Sequence, residues 1–291
     1  MLLSLELIYY GDCKDMIRFY LNTFVDASAE IHLYREMPQA EALGISGSGL
    51  DMVWRAVLTI RYGDYAVRFR LSDSLLTARK MTVTCTEQTY HPLICIEHPD
   101  EPYMRGLLEK LYCGGHCFED IQKGIYSDRY GIRWVYKRGE CHRVYHCLEL
   151  IGNCNEVAAY IGNAYQVPLT EMVRYADSSY AHVGNPAAQD KGYGVLMEVQ
   201  EQQISYAVSF SDAGICNDSG YGNGYGKNKK LWYQIILVVE ETDEAYLKEA
   251  FRRLSDGATL NRPISRNEEG RLYGSMIDRY GIVWELLSRI P

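Results

Sequence analysis

Short apolar runs alternate with helix-spaced apolar positions along the whole chain. Leu5 to Tyr9 reads as a strand that stops at Gly11. Asp12 then stands where a side chain caps a helix, and Asp15 adds an acid three residues later, where the helix dipole favours one. Met16, Phe19, Tyr20 and Phe24 follow at helical spacing and would lay one face on a sheet. After a second strand and a Gly- and Ser-rich loop over Leu43 to Leu50, Ala56 to Tyr62 and Tyr65 to Ser72 read as a hairpin around Gly63-Asp64. A second unit opens with a strand from His91 to Ile96 and a helix carrying Met104, Leu107, Leu108 and Leu111.

The pattern then starts again. Leu5-Glu6-Leu7-Ile8 recurs as Leu148-Glu149-Leu150-Ile151, and the Asp128-Arg129-Tyr130-Gly131-Ile132-Arg133-Trp134 stretch recurs as Asp278-Arg279-Tyr280-Gly281-Ile282-Val283-Trp284. Matches near the start and end of each half imply duplication of a whole domain, with halves 1–140 and 142–291. The second half repeats the order: Asn153 as cap with Glu156 behind it, a Gly-rich loop over Gly184 to Gly194, and a hairpin of Val195 to Gln200 with Ile204 to Ser211. Gln234 to Val239 and the helical residues Leu247, Ala250, Phe251 and Leu254 follow. Both first hairpins end on Ser-Asp, Ser72-Asp73 and Ser211-Asp212. Both closing hairpins turn on Asp-Arg-Tyr-Gly, where glycine supplies the left-handed conformation. Turn chemistry explains these motifs without catalysis.

Length agrees with two domains, because 291 residues exceed the usual size of one core. A net charge of −8 disfavours a phosphate backbone, so nucleic acid is not expected as a partner. The first residues carry Glu6 and Asp12, with no basic leader and no apolar run that would span a bilayer, so the expected compartment is cytoplasmic, without membrane attachment. Nine cysteines then read as thiols, most of them small core residues. Cys113-Gly-Gly-His-Cys117 with Cys141-His142 is a near-match to a zinc site, but lacks the two tight ligand pairs of a zinc finger. Gly220, Gly222, Gly224 and Gly226 precede a strand rather than a helix, which excludes a phosphate-cradling loop.

Taken together, Leu150-Ile151-Gly152-Asn153-Cys154-Asn155-Glu156, the hairpins ending in Ser-Asp, Leu254-Ser255-Asp256-Gly257-Ala258 and the Asp-Arg-Tyr-Gly close resemble the PhnB-like branch of the vicinal oxygen chelate superfamily. That superfamily includes glyoxalase I, fosfomycin and bleomycin resistance proteins and extradiol dioxygenases. The resemblance implies an α+β fold of tandem glyoxalase-like domains. Four βαβββ modules would form curled mixed sheets with helices on the outer face, each pair of modules enclosing a cup for a small-molecule ligand. A fused duplication would make the chain a one-chain pseudo-dimer, with further homodimerisation left open.

Metal-using members of the superfamily place ligands on first strands, middle strands and a closing carboxylate. In the first half the corresponding residues are Leu5, His91 and Val135, and two of the three have no lone pair to offer. In the second half they are His146, Gln234 and Glu285, an implied set for one divalent metal ion, with Glu285 the best catalytic candidate. A middle-strand ligand is missing from both halves. The alternative for each is structural: a packed His146, an unremarkable Gln234, and a Glu285 that alternation with apolar neighbours turns either into the cup or into water. Modules of this superfamily can also pair across domains, which would mix the two sets. Arg68 and Arg70 share a strand face and offer an anion site, against the ordinary outcome of solvated arginines. Three functional readings stay open: a small-molecule-binding protein of the resistance type, without catalysis; a metal-dependent lyase, isomerase, dioxygenase or thiol transferase using the second-half cup; and a degenerate domain kept for protein–protein interaction.

Overall fold

Four strand–helix–strand units are laid out in chain order in the computed structural model, which describes residues 1–9, 11–74, 91–112, 125–150, 153–174, 192–212 and 236–289. The first unit is β1 (Leu2–Tyr9), α1 (Cys13–Thr23), β2 (Ala27–Leu33), β3 (Val53–Tyr62) and β4 (Tyr65–Asp73). The second holds β5 (His91–His98), α2 (Glu101–Tyr112), β6 (Ile125–Ser127) and β7 (Arg133–Arg138). In the third are β8 (Arg143–Leu150), α3 (Cys154–Tyr165), β9 (Leu169–Arg174), β10 (Gly192–Glu201) and β11 (Ile204–Asp212). The fourth runs β12 (Ile236–Glu241), α4 (Glu244–Leu254), β13 (Thr259–Arg266), β14 (Leu272–Ile277) and β15 (Val283–Ser288).

The strands pair across the sequence repeat. β1 lies antiparallel to β12, joining the first unit to the fourth in the order β2-β3-β4-β1-β12-β15-β14-β13. β8 lies antiparallel to β5, joining the third unit to the second in the order β9-β10-β11-β8-β5-β7-β6. The two curled sheets meet at a narrow parallel seam between β4 and β11, where Tyr65 registers with Ser205. Each sheet thus takes strands from both halves of the chain.

Alternation fixes which side chains face the helices. Leu3, Leu5 and Leu7 of β1, with Val67, Phe69 and Leu71 of β4, are buried with Met16, Ile17 and Tyr20 of α1. Leu247, Ala250, Phe251 and Leu254 form the buried face of α4, and Met104, Leu107, Leu108 and Leu111 that of α2. At roughly 25 cal/mol per Å² of apolar surface, this layer dominates the favourable part of folding.

The repeated motifs are structural devices. Asp128 accepts hydrogen bonds from the backbone N–H groups of Tyr130 and Ile132 and from Trp134 Nε1, at 2.9, 3.0 and 2.8 Å, and Tyr20 of α1 donates its hydroxyl to the same carboxylate. Asp278 accepts from Tyr280, Ile282 and Trp284 Nε1 at 2.9 Å each. Both tryptophans are fully buried, and Gly131 and Gly281 close the turns at φ +84° and +83°. Arg129 and Arg279 lie over the rings of Phe19 and Tyr160, 4.6 and 4.5 Å from their centres, so the arginine of the motif holds a helix residue by cation–π contact.

Asp73 corrects the reading of the first helix start. Asp12 makes no capping hydrogen bond; Asp73, at the end of β4, accepts from the N–H groups of Gly11, Cys13 and Val53 at 2.8, 3.2 and 3.0 Å. A carboxylate distant in sequence thus does the work of a local cap. Asn153 does not cap α3 either, and its side-chain oxygen is buried without a partner. α4 follows the local rule, with Asp243 accepting from Ala245 and Tyr246, and Asp100 before α2 likewise accepts from Tyr103 at 3.1 Å.

Asp278→Ala strips the acceptor from three donors in the core, and is expected to lower unfolding free energy by about 3 kcal/mol or more in urea titrations. Gly281→Val should lose about 1 kcal/mol or more through its positive φ while leaving ligand binding intact. Loss of binding with an unchanged unfolding midpoint would assign this turn to function instead.

Candidate functional site in the β1–β4–β12–β15 cup

The face opposite the helices carries the chemistry. Because Leu5 and Phe69 point to the core, their neighbours Glu6 and Arg70, in register across β1 and β4, point into the concave side of the sheet. Glu6 also registers with Ile236 of β12, and Ser4 with Val238. Val238 registers with Glu285 of β15, and Glu285 with Ser275 of β14. Trp284 and Leu286 are core residues, so Glu285 shares the concave face with Val283 and Leu287. Residues from both ends of the chain therefore meet in one cup.

Its charges are paired with each other. Glu240 takes Arg68 at 3.1 Å and Arg271 at 3.5 Å, all three side chains 12–13% exposed. Glu285 accepts the hydroxyl of Tyr273 at 2.8 Å. The remaining pair is loose: Arg70 Nε stands 3.8 Å from Glu6 Oε2, beyond hydrogen-bond reach. Glu6 Oε2 and Arg70 Nη1 are buried with no hydrogen-bond partner. Burial pushes the Glu6 carboxyl up to about 7, with Arg70 opposing the shift and the negative charges of Glu285 and Glu240 adding to it. Ser4 Oγ, two residues from Glu6 on the same face, is likewise unpartnered, as is Nε1 of Trp54, at the irregularity where β2 and β3 slip register, with Arg55 over its ring at 5.3 Å. The arginine face is thus not the open anion site that Arg68 and Arg70 suggested, since each has a carboxylate beside it.

The expected metal set is not assembled. His146 shares the inner face of β8 with Leu148 and Leu150 by alternation; its ring meets Phe69 edge-on at 5.6 Å, and neither ring nitrogen makes a hydrogen bond. Burial holds its pKa down to about 3. Glu285 lies five strands further along the sheet, with β12, β1, β4 and β11 between, and on the concave face. The two side chains therefore face opposite sides of the sheet, and Gln234 lies outside the described residues, as do Cys113, His116, Cys117 and the Gly220–Gly226 loop. Among the described residues no three of His, Cys, Asp and Glu come together to hold a metal ion. His146 and Glu285 are thus not brought together around a common point.

The other cup has an apolar centre, with Leu93, Cys95, Val135, Tyr145, Cys147, Leu196 and Ala207 buried against one another, and the same face carries the Arg143–Glu97 pair at 3.1 Å and Glu198, which accepts from Tyr65 and Ser205. A depression along α2, between Glu101, Arg105 and Glu109, is one helix face and gathers no groups from other elements. Glu6, Glu240 and Tyr273 were missed as site residues, while Arg70 was read only as part of an anion site. The signal for Glu6 was present, a charge alternating with Leu5 and Leu7, but its partners come from strands that no local pattern identifies.

This architecture of paired βαβββ units around concave sheets is the glyoxalase fold. Glyoxalase I from Zea mays superposes with a TM-score of 0.50 at 11% identity, over 98% of this chain and 93% of that one. Protein PA1353 from Pseudomonas aeruginosa matches 49% of this chain and 94% of its own at 17% identity, TM-score 0.34. A putative 3-demethylubiquinone-9 3-methyltransferase, PhnB protein, from Bacillus cereus matches 49% and 96% at 14% identity, TM-score 0.32. At these identities the likeness is one of fold. No protein-family model and no curated protein matches the sequence. No helix among the described residues is long and apolar enough to cross a membrane.

Two titrations follow. His146 has a folded pKa below its unfolded value, so its neutral form stabilises the protein above pH 6.5 and that stability is lost as pH falls toward 3. His146→Leu should remove about 2 kcal/mol of the acid sensitivity by pH 5, seen in melting temperature against pH. Glu6 has the opposite sign: its folded pKa is raised, so stability is full below 4.5 and falls as pH rises through about 7. The melting temperature of Glu6→Gln minus that of the wild type should grow across that window and level off above it.

Proposed function

We propose that this protein binds a small organic molecule in the cup of β1, β4, β12 and β15, and that binding rather than metal chemistry is its function. The observation that carries this reading is the pair of buried, unbonded polar atoms, Glu6 Oε2 and Arg70 Nη1, on a concave face. A buried polar atom without a partner costs about 1–3 kcal/mol, and a ligand that reaches both would recover that cost. The floor beside them, Ile236, Val238 and Val283, is apolar and buried, the combination of apolar lining with a few placed polar groups that small-molecule sites use. The metal-dependent reading needs ligands that His146 and Glu285 do not jointly offer. The PhnB-like relationship, the pseudo-dimer of two halves and the cytoplasmic location belong to this same reading and rest on the sequence motifs.

The test is a ligand-observed NMR screen of small metabolites, with metal analysis of protein purified without chelator. Saturable binders that Ser275→Tyr, a bulky residue placed on the cup face, displaces without unfolding the protein are the expected result. A stoichiometric divalent ion that His146→Leu leaves in place but Glu285→Gln removes would overturn the metal-free reading.

A further inference from the structure

The cup's charge balance narrows the ligand, on the premise that the cup is a binding site. Arg68, Arg70 and Arg271 stand among Glu6, Glu240 and Glu285, so a charged ligand group of either sign meets a like charge beside its partner. Glu240 is shared by two of the arginines, and Glu285 is held by Tyr273. What is left open, besides the Ser4 hydroxyl on the same strand face, is a donor beside an acceptor: Arg70 Nη1 and Glu6 Oε2, each unbonded, on side chains 17% exposed whose closest charged atoms are 3.8 Å apart. An anion seated on Arg70 would meet the Glu6 carboxylate, and a cation seated on Glu6 would meet the guanidinium. Either would forfeit on one side what it gained on the other.

A neutral group carrying an acceptor and a donor on one edge meets neither penalty. An amide has such an edge, its oxygen and nitrogen about 2.2 Å apart, so that the carbonyl accepts from Arg70 while the N–H donates to Glu6. Its donor and acceptor sit on two separate atoms, where a lone hydroxyl must serve both partners from one oxygen. Ile236 registers directly with Glu6 and adjoins Val238 and Val283, offering an apolar surface to the rest of the molecule. We infer that the cup selects a neutral carboxamide, lactam or ureide on a small apolar body, read by Arg70 and Glu6 as a donor–acceptor pair.

Three probes of one shape decide it: benzamide, benzoate and benzylamine, titrated calorimetrically at pH 8, where Glu6 is ionised. Benzamide is expected to saturate at least tenfold more tightly than the other two. Removing one partner leaves a buried charge and can unfold the protein, so the deciding variant is the double Glu6→Met, Arg70→Met, which removes both charges together. It should fold, by circular dichroism, and bind benzamide at least tenfold more weakly. Tighter binding of benzoate or benzylamine than of benzamide, or benzamide binding unchanged in the double variant, overturns the amide assignment and leaves the cup a small-molecule site. If a broad metabolite screen also finds no ligand displaced by Ser275→Tyr, the binding reading falls with it.

Discussion

A buried carboxylate that gathers a turn and a tryptophan sets the geometry on which the rest depends. Asp278 holds the N–H groups of Tyr280 and Ile282 and the indole of Trp284, and so fixes which way β15 enters the sheet. With Trp284 locked inward, strand alternation leaves Glu285 no direction but the concave one. Asp73 does the equivalent at the other wall. By tying the ends of β1 and β4 to the start of β3, it fixes the phase in which Leu5 and Phe69 go inward and Glu6 and Arg70 outward. Burying such a carboxylate is costly alone, and three or four donors offset that cost at each site.

Repeated motifs at both ends of the chain accompany a cup built from opposite ends of it. Asp128 repeats the geometry of Asp278 around Trp134, and Arg129 on Phe19 repeats Arg279 on Tyr160. These contacts bind α1 to the β6–β7 turn and α3 to the β14–β15 turn, keeping each half's helices together, while the sheets are completed across the halves. Once each cup has a wall from each half, the faces are free to diverge without disturbing either helix layer. They have done so: Val135 occupies in one cup the place that Glu285 takes in the other.

Local patterns made the elements legible, and strand phase decided the site. The hairpin of β3 and β4, the inward faces of α2 and α4 and the role of the Asp-Arg-Tyr-Gly turns followed from spacing and turn chemistry alone. Two readings failed for different reasons. Asp12 and Asn153 have the right residue types for caps, yet for α1 the donors are taken by Asp73, some sixty residues away, which no local window includes. His146 failed on parity: it lies two residues before Leu148, the counterpart of the core residue Leu5, so alternation sends it inward with the leucines. Glu6 was visible as the charged outlier of an apolar strand, but its meaning required knowing that β12 and β15 are its neighbours.

The pairing of charges in the cup bears on why a protein would keep them there at all. Ion pairs removed from water rarely add stability over apolar residues of the same size, since desolvation consumes most of the attraction. Glu240 between Arg68 and Arg271 is well satisfied and can be explained as structure. Glu6 and Arg70 cannot, because they stand too far apart to bond and each retains an unused atom in a buried place. A pair held open in this way contributes less to folding than a closed one would, and the groups behind it, the leucines of β1 and Asp73 with its three backbone donors, are buried. Rigid support behind an unsatisfied donor and acceptor is the arrangement a preorganised binding site requires, since the energy withheld from folding becomes available to whatever completes the hydrogen bonds.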